Sequence, residues 1–243
     1  MKKIINNSLI FIFGIIFLIS AYSLYTLLIG YKKNIDTYNN ISEIVTTDDN
    51  NIYISNTEYD KLKLINDDYL FWISIPNTNI NYPVVKSKDN EDYLYTNFIN
   101  EPNKGGSIFL DAGNSLDYMN DDNLVIHGHN MKDKSMFGSL SKFLTSEYLS
   151  ENKIIYIYLE DKILEYEVFS AYVTDGETFP YVYNFLNNDE FNNYLNLVIS
   201  KSYNSLNYFD DGKRNLLTLS TCTNATGDKR TIVNAKLKNI KEN

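Results

Sequence analysis

Three features of the 243-residue sequence predict a mostly β domain, a barrel or a sandwich, carried behind one N-terminal membrane helix. Residues Ser8 to Gly30 form one apolar run without a charge. From Tyr69 onward, eight short runs rich in β-branched and aromatic residues recur between Asn, Asp and Gly turns. Only two stretches within that region carry apolar residues at helical spacing.

The run Ser8–Gly30 has 23 residues and is flanked by Lys2, Lys3 and by Lys32, Lys33. At 1.5 Å per residue, about 20 apolar residues cross the hydrocarbon core of a bilayer. The run is too long for a signal-peptide core and no A-x-A site follows it, so it reads as an uncleaved signal anchor. A soluble helix normally keeps a polar face, which weakens the reading of a buried core helix. Two lysines on each side leave the charge rule for orientation nearly balanced. Residues 1–33 hold four lysines and no acid, so the remainder is more acidic than the whole chain at −9. A large acidic domain behind a first hydrophobic segment is expected outside the cell. The chain thus divides into a cytoplasmic tip and anchor (1–33), a polar stalk (34–68) and a β domain (69–243). The stalk is expected to become amphipathic helix near Tyr59–Asp67.

The β runs are YLFWISI (69–75), INYPVV (80–85), GSIFL (106–110), NLVIHG (123–128), KIIYIYL (153–159), ILEYEVFSAYV (163–173), NLLTLSTC (215–222) and TIVNAKL (231–237). In the sixth, Leu164, Tyr166 and Val168 alternate with Glu165 and Glu167, the pattern of a half-buried strand. It is separated from the fifth by Glu160, Asp161 and Lys162, a hairpin connection. Helices are expected at Ser135–Leu149, from Met136, Phe137, Leu140, Phe143 and Leu144, and at Asp189–Tyr203, where two acids suit the first turn.

Composition removes several classes of function. A pI near 4.8 argues against a nucleic-acid partner. One cysteine excludes a disulfide framework or a multi-Cys zinc site, and two histidines exclude a His-rich metal cluster. The abundance of Asn and Lys over Gln and Arg is read as codon bias, and it makes the two arginines, Arg214 and Arg230, conspicuous.

Cys222 ends a strand beside polar residues, where a thiol can face a cleft; a structural Cys would sit mid-element. His127 and His129 lie two apart at another strand end, so strand periodicity puts both on one face. Arg230 opens the strand after the Cys222 loop. If those two strands pair antiparallel, its guanidinium returns beside Cys222 as an oxyanion donor. Arg214 lies at the far end of the Cys222 strand. A Cys/His/Arg set on a β scaffold suits acyl transfer: the thiol attacks a carbonyl, the guanidinium holds the oxyanion and a histidine protonates the leaving amine.

TLSTC (218–222) with Arg230 eight residues on, and GHN (128–130), resemble the nucleophile and histidine motifs of the sortase family. FWISIPNTNINYPVVKSKDNEDYL (71–94), GSIFLD (106–111), IHGHNMKDKSMFGSL (126–140) and VFSAY (168–172) are similar to class B sortases in particular. The resemblance covers roughly 69–237. It implies an eight-stranded sortase β-barrel with peripheral helices and a transpeptidase without a cofactor. Such an enzyme cleaves a C-terminal sorting signal of the LPxTG or NPxTN type after its Thr. It then joins the secreted protein to a peptidoglycan amine. It implies His129 as the catalytic histidine, with Cys222 and Arg230, and leaves His127 without a role. By position it assigns Asn81, Val85, Tyr181 and Ser220 to substrate contact, with the 174–188 loop as a groove wall. Two other readings compete: a papain-like cell-wall peptidase, in which Cys precedes His, and a membrane-anchored scaffold or adhesin with no chemistry.

Overall fold

One helix, α1, runs unbroken from Lys2 to Ser42 in the structure, a computed structural model that describes residues 2–48, 51–176, 181–204, 208–223 and 228–242. Its first part is long and apolar enough to cross a membrane, with Leu9 to Thr26 exposed all round. The helix does not stop at Lys33. One side becomes a packing stripe: Leu27 and Tyr31 are partly covered, and Asn34, Tyr38, Ile41 and the following Val45 are buried. Steps of four and three residues keep that stripe on one face. Residues 34–45 therefore lie against the domain instead of forming a free stalk. A small hairpin, β1 (Thr46–Asp48) and β2 (Asn51–Tyr53), leads to α2 (Asn56–Ile65). Ser55 and Glu58 close a capping box at the α2 N-terminus, satisfying two otherwise orphaned backbone donors.

The β domain is a closed barrel, which settles the choice between barrel and sandwich. Its strands are β3 (Tyr69–Ser74), β4 (Asn81–Lys86), β5 (Ile108–Leu110), β6 (Asn123–His127), β7 (Ile154–Tyr158), β8 (Lys162–Asp175), β9 (Leu216–Cys222) and β10 (Lys229–Glu242). Around the barrel they run β10-β8-β7-β3-β4-β5-β6-β9, and β9 pairs with β10 to close the ring. All pairs are antiparallel except β4–β5 and β6–β9. Closure removes every free edge. Phe71, Trp72, Ile73, Val84 and Leu219 are among the buried side chains of the domain's apolar core.

β8 alternates as its sequence predicts, Leu164, Tyr166 and Val168 facing the core and Glu165 and Glu167 partly exposed. From Val168 to Tyr172 it is buried on both faces. The second face is covered by α4 (Asn188–Lys201), whose Phe191, Tyr194, Leu195 and Val198 pack on Phe169, Tyr172, Leu216 and Ile232. Asn187 caps α4 by accepting the Glu190 N–H.

The helix expected at Ser135–Leu149 does not form as one piece. A 3-10 turn spans Leu140–Leu144 and a short helix, α3, spans Ser146–Glu151. The preceding loop is pinned to the barrel. The Met136 N–H donates to Tyr82 Oη, Asn130 pairs with Met136, and Lys134 and Met136 have positive φ. Met136, Phe137, Leu140 and Phe143 are all buried. Their apolar spacing is satisfied by an irregular loop against the core.

Candidate active site

Two strand pairings build the site. β6 and β9 run parallel, with His127 opposite Ser220, so the residues that follow each strand emerge at the same end of the barrel. At that end stand His129, two residues beyond β6, and Cys222, the last residue of β9. β10 then returns antiparallel beside β9 with Arg230 directly across from Cys222. Arg230 Nη1 donates to Cys222 Sγ at 3.1 Å. Gly176 leaves room for this: a Cβ there would stand 3.2 Å from Arg230 Nη1 and 3.3 Å from Cζ.

Cys222 is partly exposed at the wall of a cavity of about 280 Å³ that also takes in His129, His127, Tyr181, Ser220 and Arg230. His129 Nε2 lies 2.6 Å from the Leu94 carbonyl. A carbonyl only accepts, so Nε2 carries the proton and Nδ1 is the nitrogen left for proton transfer. Burial lowers the His129 pKa from its ordinary value, and the Leu94 bond opposes this only in part. The Tyr95 ring lies against the imidazole at 5.6 Å. Among the described residues, the only hydrogen bond to Cys222 Sγ comes from Arg230; His129 shares its cavity without bonding to it.

His127 has a partner that sequence reasoning missed. Its Nε2 lies 2.6 Å from Oδ2 of Asp111, a buried carboxylate one residue beyond β5. Asp111 Oδ1 accepts from Tyr183 Oη at 2.8 Å and from the Gly113 N–H at 2.7 Å. Burial raises the Asp111 pKa, but the His127, Gly113 and Tyr183 bonds outweigh it and hold the carboxyl well below the usual range. Asp111 ends the GSIFLD motif, and β5 pairs with the histidine strand. That adjacency was the available signal. The T-shaped contact of His127 with Tyr181, at 5.1 Å, links this pair to the cavity wall, where Tyr181 Oη and Ser220 Oγ are 2.7 Å apart.

The Sortase domain family model matches residues 73–238. Sortase B of Listeria monocytogenes is 32% identical over 224 residues, 91% of each chain. The chain belongs to the class B sortases. Solved structures agree. A sortase B from Bacillus anthracis superposes with a TM-score of 0.75 at 30% identity, covering 86% of this chain and 98% of its own. A Staphylococcus aureus sortase B–substrate complex gives 0.69 at 31% identity, covering 77% and 86%. This sortase is thus a cysteine transpeptidase on an eight-stranded barrel. The papain-like and scaffold readings fall.

The sortase barrel does not bring every expected site residue to the cavity. Tyr181 and Ser220 line it. Val85 does not: it is fully buried within the apolar core cluster. Asn81 accepts from Trp72 Nε1 at 2.6 Å and borders a separate crevice against α1. Arg214 sits at the far end of β9, donating to the Phe185 carbonyl and to Asn188. Of the two loops flanking the cavity, residues 177–180 and 224–227 lie outside the described residues.

Proposed function

We propose that Cys222, His129 and Arg230 carry out the transpeptidation of a C-terminal sorting signal. The observation that carries this reading is the 3.1 Å contact of Arg230 with Cys222 Sγ in a cavity shared with His129. Cys222 Sγ attacks the carbonyl carbon of the signal's Thr, and the thiol proton passes to His129 Nδ1. Arg230 donates to the oxyanion, since a group already within reach of the sulfur also reaches an oxygen on the carbon bonded to it. The tetrahedral centre collapses to a thioester, and the leaving amine takes the proton from His129. An amine of the peptidoglycan precursor then attacks the thioester. It gives a proton to His129, which returns it to the Cys222 sulfur. The closing of the His129–Cys222 gap is expected on peptide binding, since catalytic hydrogen bonds tighten in the substrate complex.

Tyr181 and Ser220 form the wall on which the peptide lies; Asn81 and Val85 are not assigned to it. The S. aureus sortase B–substrate complex supports a substrate groove in this class. Ser8–Gly30 anchors the enzyme as a single-pass membrane protein, with residues 69–243 as the catalytic barrel outside the cell and 34–68 joining the two. The sorting signal is of the LPxTG or NPxTN type. Intact-mass analysis of the protein with peptides of both types tests the reading. A mass gain equal to the fragment ending in Thr less one water, reversed by hydroxylamine and absent in Cys222→Ala, is the expected result. An unmodified wild-type protein that still cleaves the peptide would overturn the thioester route.

A further inference from the structure

The packing stripe on α1 starts below the last residue of the uncharged run. Leu27 is the first of its side chains to be covered, and Gly30 ends the run. A crevice at this level is lined by Thr26, Leu27 and Gly30 from the helix and by Pro102, Lys104 and Met131 from the barrel. Just above, Gly105 lies flush on Asn34, where a Cβ would stand 2.6 Å from Nδ2. Tyr38 Oη donates to the Gly106 carbonyl at 2.7 Å. The barrel rim therefore meets the helix from within the apolar run upward.

At 1.5 Å per residue, Leu27 to Lys33 span about 9 Å of helix, close to the depth of a headgroup layer, roughly 5–8 Å. A rim that touches Thr26 to Lys33 occupies that layer. Its charge suits it. Lys32, Lys33, Lys104 and Lys132 are all exposed there, in a chain whose net charge is −9. The acids nearby are Glu101, bonded to Lys33 at 3.0 Å, with Asp36 and Asp133 further along the helix and loop.

We propose that the barrel rim formed by Pro102–Gly105 and Met131–Lys132 sits in the headgroup layer, where Lys104 and Lys132, beside Lys32 and Lys33, bind the phosphates of anionic phospholipids. The proposal rests on the reading that Ser8–Gly30 spans the membrane. Its consequence is positional. His129 is two residues from Met131, so at most about 7 Å of chain separates the cavity from the seated rim. The cavity opens at the membrane surface without a stalk to lift it.

Spin labels on the full-length protein test this, in a Cys222→Ala background that leaves one introduced cysteine. Ser20→Cys reports on the anchor, Pro102→Cys on the rim, and Asp161→Cys on the hairpin at the opposite end of the barrel. Each is reconstituted in nanodiscs of phosphatidylcholine alone or of equal parts phosphatidylcholine and phosphatidylglycerol. Collision with oxygen and with a water-soluble nickel chelate reads the depth. The label at 20 should read as hydrocarbon, at 102 as headgroup and at 161 as water. An anionic surface attracts each adjacent lysine enough for about a fivefold change in partitioning. Lys104→Glu with Lys132→Glu should therefore abolish the nickel shielding at 102 that phosphatidylglycerol confers. A label at 102 as open to nickel as the one at 161, with 20 embedded, overturns the seat. Shielding at 102 that is the same without phosphatidylglycerol and in the double variant overturns the headgroup binding. A label at 20 that reads as water overturns the anchor reading itself.

Discussion

Arg230 offers Cys222 a planar fork at 3.1 Å, a geometry that an ammonium on a flexible stem does not copy. Arg230→Lys should lower kcat for peptide cleavage by roughly 10²–10³-fold, the usual effect of losing one oxyanion donor. A fluorogenic sorting peptide at saturating concentration measures it, and a loss confined to KM would reassign Arg230 to binding. His129 is half-buried, and loss of solvent around it lowers its pKa from the ordinary 6.5. The acid limb of kcat/KM should therefore have its midpoint below 6.5, because Nδ1 stays free to take a proton until the pH falls through the lowered value. A midpoint above 6.5 would contradict the assignment. Stability has the same sign: a depressed histidine costs nothing at high pH and destabilises the fold as the pH drops below 6.5. Asp111 acts lower, its contribution present above the ordinary 3.8 and lost as the pH falls toward its own value. His127→Ala strips that carboxylate of a partner at a cost of about 1–3 kcal/mol. Melting should fall, while kcat stays within about an order of magnitude because His127 moves no proton in the proposed route. His127→Gln, which can still donate to Asp111, should recover the melting temperature. A dead His127→Ala beside an active His129→Ala would reverse the choice of histidine.

The loop between β4 and β5 ties α1 to His129. Gly106 has φ of 58°, and a Cβ on it would stand 2.4 Å from the Leu94 carbonyl oxygen. That same oxygen holds His129 Nε2, and the Gly106 carbonyl accepts from Tyr38 of α1. Gly106→Ala should cost about 1–2 kcal/mol from the backbone conformation alone, with the clash added. Because the displaced carbonyl is the one that orients His129, cleavage activity should fall further than the loss of folded protein explains. Thermal melting and active-site titration of the same sample separate the two. An alanine variant with full activity per folded molecule would show that Leu94 does not orient the imidazole. Little of this was legible beforehand. GHN and TLSTC mark the residues, but the Leu94 contact depends on a loop whose positive φ angles and turns have no periodic signature. The broken helix at 135–149 teaches the same lesson. Helical spacing records which side chains are buried, and a loop pinned by Tyr82 buries them equally well.

Seen entire, the enzyme is a barrel fastened to its N-terminal apolar helix by shared core. Tyr38, Ile41 and Val45 are buried in the same apolar cluster as the barrel interior. A soluble form beginning at residue 46 loses them, and one beginning at 34 keeps them. At about 1.5–3 kcal/mol for each buried apolar side chain and roughly 2–4 °C per kcal/mol in a chain this size, the shorter form should melt some 10 °C lower or more. Equal melting temperatures would mean that the helix merely rests on the surface. Pattern alone marked the apolar run Ser8–Gly30, the β character of residues 69–237, the α4 helix and the motif residues Cys222, His129 and Arg230. Each is written in local spacing or in a short motif. Only the closed tertiary structure decided that Asp111 partners His127, that Val85 is core and Asn81 lies in another crevice, and that α1 docks from Leu27 onward. Those outcomes depend on which strands become neighbours and in what register. Residues far apart in the chain meet only when the ring closes, and no local pattern encodes that distance.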